Sequence, residues 1–383
     1  MIPRKAEKEL KSLSKQYKAI AVTGPRQSGK TTLVRKVFSE KQYVNLENPD
    51  IRRFAVDDPR GFLSTYSDGA ILDEVQRTPE LFSYLQQILD EKDQNGQFIL
   101  TGSNNFLLQE NISQSLAGRV GYLFLLPLSI EEISPETGQT NQLMLKGGYP
   151  ELYQKEIEID KYYANYIRTY IERDVRLLKN INDLYVFERF LRLCAGRTGQ
   201  LLNMSSLASD TGIDVKTVAS WIGVLEASFI VFRLQPYHKN YNKRIVKMPK
   251  LYFYDTGLAA ALMGINSASQ LDIHPFRGSL FENLVILEFL KRIYNNGKPN
   301  NLFFWRNNTG NEIDLLIKSG ERRIPVEIKS GQTITEDFFK GIKYWNKLTQ
   351  TEGGYLVYGG DMIQNRSNGI HAVPLHRLPN INI

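Results

Sequence analysis

Residues Gly24-Pro25-Arg26-Gln27-Ser28-Gly29-Lys30-Thr31-Thr32 carry the pattern G-x-x-x-x-G-K-[ST]. Residues 17–23 before it form a short apolar run rich in strand formers, and Leu33-Val34-Arg35-Lys36-Val37-Phe38 after it has a helical pattern. Strand, glycine loop and helix in this order predict a phosphate-binding loop on a parallel α/β sheet. Glycines let the backbone wrap closely, so that amide N–H groups point at phosphate oxygens. The helix N-terminus adds positive potential. All nine residues are therefore expected nucleotide contacts. Lys30 is expected at the β- and γ-phosphates of ATP, and the Thr31 hydroxyl on Mg²⁺.

Such a loop works with a second strand that ends in acids, and Gly69-Ala70-Ile71-Leu72-Asp73-Glu74 supplies one. Asp73 is the expected partner of the metal shell, and Glu74 the group that orients or deprotonates the attacking water. A third strand-like run, residues 97–102, ends in Ser103 and Asn104, and one or the other is expected to sense the γ-phosphate. Arg119, in Leu116-Ala117-Gly118-Arg119, is a candidate for stabilising transition-state charge, from its own chain or from a neighbouring copy. Gly147-Gly148-Tyr149-Pro150 then punctuates the chain, which places the nucleotide-binding part at 1–150.

Composition bounds the rest. A length of 383 residues suits two or three domains, and 42% hydrophobic with 23% charged residues excludes wholesale disorder and coiled coil. The apolar stretch 120–130 is too short for a membrane span and is broken by Pro127, and the first residues lack an apolar leader. A cytoplasmic protein without a membrane partner is expected. Cys194 alone forms no internal disulfide, and four scattered histidines assemble no zinc cluster. The surplus of 48 Lys and Arg over 41 Asp and Glu leans toward anionic partners.

Between 160 and 194 apolar residues recur at threes and fours (Tyr163, Tyr166, Ile167, Tyr170, Ile171), which predicts helices whose tyrosines pack. Residues 205–228 read as a helix-turn-helix, with Asp214 capping a second helix whose Val218, Trp221, Ile222 and Leu225 share one face. A strand-like run, 229–234, follows, as a winged helix requires. Lys239, Lys243, Arg244, Lys247 and Lys250, with Tyr241 and no acid, form a basic stretch expected to grip phosphates as a wing. The second helix is less basic, since Lys216, Thr217 and Ser220 bring one cation to its outward positions. This middle part is assigned to 151–255.

The last part, 256–383, opens with an amphipathic helix carrying Glu282. Three short strand patterns follow around Phe303-Phe304-Trp305-Arg306, Glu312-Ile313-Asp314-Leu315 and Val326-Glu327-Ile328-Lys329. Period two puts Glu327 and Lys329 on one side of their strand. Asp314 and Glu327 on neighbouring strands, with Glu282 from the helix, are candidate Mg²⁺ ligands, and Lys329 is a candidate catalytic cation. The D…(D/E)-x-K layout is that of restriction-endonuclease-like folds.

The chain resembles a bacterial and archaeal family of AAA-type P-loop ATPases with a C-terminal domain of unknown function. The resemblance runs over Gly24–Thr31, Leu72-Asp73-Glu74-Val75-Gln76-Arg77, Leu100-Thr101-Gly102-Ser103, Leu116–Arg119, Gly147–Pro150, residues 170–175, Lys250-Leu251-Tyr252-Phe253-Tyr254-Asp255-Thr256-Gly257-Leu258, and the Glu282, Asp314, Glu327, Lys329 set. It implies an α/β architecture: a P-loop NTPase domain, a winged-helix segment and a mixed restriction-endonuclease-like domain of the PD-(D/E)xK type. The expected activity is Mg²⁺-dependent ATP hydrolysis coupled to a DNA-associated, nuclease-like domain. The alternative is a non-nucleolytic ATP-driven switch whose C-terminal domain binds nucleic acid or protein.

Overall fold

The strand expected before the phosphate loop is β1 (Ala19–Thr23) in the computed structural model of the chain. The structure describes residues 2–102, 112, 114–133, 139–171, 183–238 and 246–381. β1 lies in a five-stranded sheet with β2 (Gln42–Asn45), β3 (Ala70–Asp73), β4 (Phe98–Gly102) and β5 (Val120–Phe124), in the order β2-β3-β4-β1-β5. Every pairing is parallel. Parallel sheets need cover on both faces, and the residues alternate to provide it. Ile20 and Val22 pack with Leu33 and Val34 on one face, whereas Ala19 and Ala21 pack with Val44, Leu72 and Leu100 on the other. This sheet belongs to a first unit made of Met1–Leu128, Ala227–Phe229 and Lys291–Pro299.

The second unit comprises Ser129–Glu226, Ile230–Leu290 and Asn300–Ile383. Its helical part includes Ile159–Tyr166 and Leu184–Ala195, where Tyr163 and Tyr166 are buried, as their spacing predicts, along with Tyr162 and Cys194. The pair Met204–Thr211 and Val215–Ala227 follows, with Asn203 accepting from Ser206 N and Asp214 from Thr217 N.

An eight-stranded sheet forms the rest. Its strands are β6 (Val231–Pro236), β7 (Lys250–Phe253), β8 (Leu302–Arg306), β9 (Glu312–Ser319), β10 (Arg322–Lys329), β11 (Gly354–Tyr358), β12 (Gln364–Asn365) and β13 (Ile370–Pro374). They run in the order β12-β13-β11-β10-β9-β8-β6-β7. β8, β9 and β10 are antiparallel neighbours, and β10 pairs parallel with β11 after the intervening helix Lys340–Thr349. β6 and β7 pair antiparallel, Gln235 and Pro236 of β6 pair with Phe303 and Phe304, and all four β7 residues are buried. The residues on both sides of 255/256 belong to the second unit. Among the described residues, no helix is long and apolar enough to cross a membrane.

Candidate functional site

The phosphate loop sits at the C-terminal end of β1, where Gly29 caps the helix Lys30–Val37. Gly24 (φ 151°), Gln27 (φ 59°) and Gly29 (φ 92°) hold positive φ. A Cβ on Gly24 would overlap the carbonyl oxygen of Leu125, so glycine is required by close backbone approach as well as by conformation. Pro25, Ser28 and Lys30 are buried, Arg26 and Gln27 half-buried, and Thr32 exposed. Lys30 Nζ donates to the carbonyls of Gly24 (3.0 Å) and Pro25 (2.8 Å). Burial pushes this ammonium down to about 8, against the opposing pull of Glu74 and then Asp73. The hydroxyls of Thr23 and Ser28 are buried without a hydrogen-bond partner among the described residues, donors suited to an anionic guest. Arg4 braces the loop from outside, donating to Ser28 O and Leu126 O at 2.6 Å each. Sequence reasoning missed Arg4, because nothing near it in the chain marks its partner.

Asp73 closes the site from the end of β3. It accepts hydrogen bonds from Thr31 Oγ1 (3.0 Å), Tyr43 Oη (2.6 Å) and the Thr101 hydroxyl. Tyr43 was not singled out from the sequence and Thr101 only within a stretch of the family resemblance; their places on β2 and β4, either side of β3, explain the contacts. Burial, then the bond to Asp73, drives the Tyr43 phenol above its usual range, so it stays a donor. Thr31 and Asp73 present a hydroxyl and a carboxylate oxygen side by side, a hard oxygen pair that fits Mg²⁺. Glu74 follows in a left-handed conformation (φ 56°) and accepts from Gln76 Nε2. Ser103 and Asn104 lie outside the described residues.

Arg119 is not brought to this site. It precedes β5, and its carbonyl accepts from Ala19 N, at the N-terminal end of β1. The length of β1, about 16 Å at ~3.3 Å per residue, separates it from the loop. Its guanidinium is spent on Asp90, Nε at 2.6 Å and Nη2 at 2.9 Å. Within one chain, therefore, the structure does not bring Arg119 to the loop.

In the second unit Asp314 and Glu327 lie on adjacent antiparallel strands. Lys329 Nζ joins them, at 2.8 Å from Asp314 Oδ2 and 2.7 Å from Glu327 Oε2, and Ile328 N donates to the same Asp314 oxygen at 2.9 Å. Glu282 accepts from Lys250 Nζ (2.9 Å) and Tyr252 Oη (2.5 Å), and Lys250 also pairs with Glu312 at 2.5 Å. Among the described residues no group of three or more His, Cys, Asp or Glu side chains is arranged to hold a metal ion. Of the expected metal set, Asp314 and Glu327 are brought together around the Lys329 ammonium, while Glu282 pairs with Lys250. Burial raises the Glu327 carboxyl well above its ordinary range, reinforced by Asp314; burial would also raise Asp314, but the Lys329 and Lys250 charges and the hydrogen bonds from Lys329 and Ile328 together outweigh it and lower it.

Lys250 was expected in a phosphate-gripping wing and is instead a buried sheet residue, its charge consumed by Glu282 and Glu312. Lys247 is exposed, while Lys239, Tyr241, Lys243 and Arg244 lie outside the described residues, as do residues 172–175 of the family-like motif. On the second helix of the pair Lys216 is exposed, but Thr217 Oγ1 is engaged by Asp214 at 2.5 Å.

Three family models match the chain: an AAA domain over residues 16–134, a domain of unknown function (DUF8612) over 137–269, and a second domain of unknown function (DUF4143) over 277–378. The uncharacterized protein Rv2008c of Mycobacterium tuberculosis is 30% identical over 380 residues, which span 98% of this chain and 84% of the relative. The uncharacterized protein MJ1544 of Methanocaldococcus jannaschii is 23% identical over 356 residues, 84% of this chain and 76% of that one. Among solved structures, the Walker-type ATPase PABY2304 of Pyrococcus abyssi aligns with a TM-score of 0.44 at 15% identity, covering 68% of this chain and 96% of that chain.

Proposed function

Because this chain belongs to the family of AAA-domain proteins with a C-terminal DUF4143 domain, we propose that it binds and hydrolyses ATP with Mg²⁺ at the phosphate loop. The observation that carries this reading is the 3.0 Å bond between Thr31 Oγ1 on the loop helix and Asp73 Oδ2 at the end of β3. Two residues 42 positions apart meet where a P-loop enzyme needs its metal-facing oxygens. In this reading the loop amides and Lys30 hold the phosphates. Glu74 accepts the proton of a water whose oxygen bonds to the γ-phosphorus, while the bond from that phosphorus to the bridging oxygen breaks and its electron pair leaves with ADP. Bound Mg²⁺ supplies charge neutralisation on the phosphate oxygens. Lys30→Ala tests the assignment: hydrolysis should vanish, and full retained turnover would refute it.

For the C-terminal domain, the lysine-filled carboxylates favour the regulatory reading over the nucleolytic one. ATP would switch an assembly in which this domain binds nucleic acid or a protein partner. The nuclease reading draws support from the Asp314, Glu327 and Lys329 geometry and from the antiparallel β8-β9-β10 meander joined to β11. Plasmid incubation with Mg²⁺ or Mn²⁺ separates the two. No cleavage is expected; cleavage abolished by both Asp314→Ala and Lys329→Ala would restore the nuclease. Binding of DNA should weaken steeply with salt if exposed cations such as Lys216 and Lys247 grip phosphates.

A further inference from the structure

Gln76 belongs to the stretch Leu72-Asp73-Glu74-Val75-Gln76-Arg77, and neither the loop chemistry nor the metal shell uses it. It sits in a single 3₁₀ turn, Val75–Arg77, that follows the left-handed Glu74 directly. Non-glycine residues in that conformation are held there by their surroundings. The turn is fixed at both ends: Arg77 N donates to Glu74 O at 3.1 Å, Thr78 Oγ1 donates to Val75 O at 3.1 Å, and Arg77 Nη2 pairs with Glu47 Oε1 at 3.0 Å. From this turn the Gln76 amide reaches back and donates from Nε2 to Glu74 Oε2. Its own Oε1 is buried without a hydrogen-bond partner among the described residues.

A buried amide that satisfies one end and leaves the other unmet is oriented by the bond it makes. That bond runs to the carboxylate whose direction matters for the attacking water. Glu74 is also the foremost negative charge acting on the buried Lys30 ammonium, which ties this carboxylate to the phosphate loop. We propose that Gln76 is a positioning residue for Glu74: its Nε2–H fixes one carboxylate oxygen and so sets the direction of the carboxylate toward the attacking water. The proposal rests on the ATPase reading above and adds how its base is aimed.

The test is a double-mutant cycle on the full chain, reading kcat together with affinity for a non-hydrolysable ATP analogue. Gln76→Leu keeps the side-chain bulk and removes both amide functions. It should lower kcat about 30-fold, part of the ~10²- to 10⁴-fold that a positioned base contributes, with analogue affinity within about threefold of wild type. In the Glu74→Gln background, where no base remains to be aimed, adding Gln76→Leu should change the residual rate by less than about twofold. A kcat within about twofold of wild type in the single variant would overturn the proposal. So would a full additional loss in the Glu74→Gln background, the result of a merely structural role. Wild-type protein that binds and turns over no ATP would overturn the ATPase reading itself, an outcome distinct from either.

Discussion

Tyr163 Oη donates to Asp255 Oδ1 at 2.7 Å, across 92 residues of sequence. The same carboxylate accepts Gly148 N at 2.8 Å and Leu258 N at 2.9 Å, so it caps the helix Thr256–Leu262 while pinning the Gly147-Gly148 corner. Gly147 and Gly257 are glycines for lack of room. A Cβ on either would overlap the Tyr163 hydroxyl, and one on Gly147 would also overlap the Asp255 carboxylate. Two short motifs that look unrelated in sequence are thus one packed joint of the second unit.

Removing that hydroxyl should be costly. Tyr163→Phe strips one donor from a buried carboxylate, and a loss of about 1.5–3 kcal/mol is expected. Gly257→Ala should cost more, because backbone (Leu145 O) as well as the tyrosine lies where the methyl would go. Urea unfolding of both variants checks the order; equal stability of Gly257→Ala and wild type would contradict the joint.

Lys30 predicts opposite effects on stability and activity. Its buried ammonium is depressed from 10.5 to about 8. The unfolded chain therefore binds more protons between those values, and the folding penalty, complete below about pH 8, is relieved as pH rises toward 10.5. The penalty is roughly 3 kcal/mol, offset in part by the two carbonyl hydrogen bonds. Lys30→Met should abolish hydrolysis yet raise the Tm of nucleotide-free protein at pH 7, with the gain shrinking toward pH 10. A lower Tm for the variant at pH 7 would count against a strained buried ammonium.

Glu327 sets a second pH dependence. Because its carboxyl is raised well above 4.5 by burial and by Asp314, the folded state holds that proton where the unfolded chain has released it. Stability from this group is present at acid pH and falls as pH rises from 4.5 through the raised value. Glu327→Gln keeps an oxygen for Lys329 and removes the titration. Denaturation midpoints of the variant and wild type should agree near pH 4.5, and the variant should be the more stable at pH 8. Parallel curves across this range would show that Glu327 is ionised throughout.

Lys250 is held by two acids in the sheet. Burial alone would lower its ammonium, but Glu282 foremost, then Tyr252 and Glu312, raise it well above 10.5. Lys250→Met leaves those carboxylates buried without their cation and should cost about 3–5 kcal/mol. Adding Glu282→Gln should recover part of the loss. A variant as stable as wild type would show that the carboxylates find other cations.

Arg119 lies at the far end of β1 from the loop and pairs with Asp90. Arg119→Ala should therefore leave kcat within about twofold in dilute protein. A large drop, rescued by mixing with a Lys30→Ala chain, would reveal that the arginine serves a neighbouring copy.

The nucleotide site was legible because its parts are local. A strand, a glycine-rich turn and a helix N-terminus within 20 residues dictate a phosphate cradle whatever surrounds them, and the acid pair Asp73-Glu74 announces itself at a strand end. The helix pair around Asp214 was readable for the same reason, since cap and apolar stripe are spacings of three and four. Asp314, Glu327 and Lys329 were correctly set side by side by strand periodicity, but their charge balance was not.

What the chain alone determined is the set of short-range elements and the residue types at their ends. The tertiary structure decided which charges meet. It buried Lys250 between Glu282 and Glu312 when its spacing suggested a solvated wing, put Arg119 at the wrong end of a parallel strand for the loop, and brought Tyr43 and Thr101 onto Asp73. Each of these depends on strand order. Pairing partners in a sheet with crossovers lie tens to hundreds of residues apart, and a buried ion pair is fixed by which strand becomes whose neighbour, a choice made by the packing of the whole sheet and not by any segment within it.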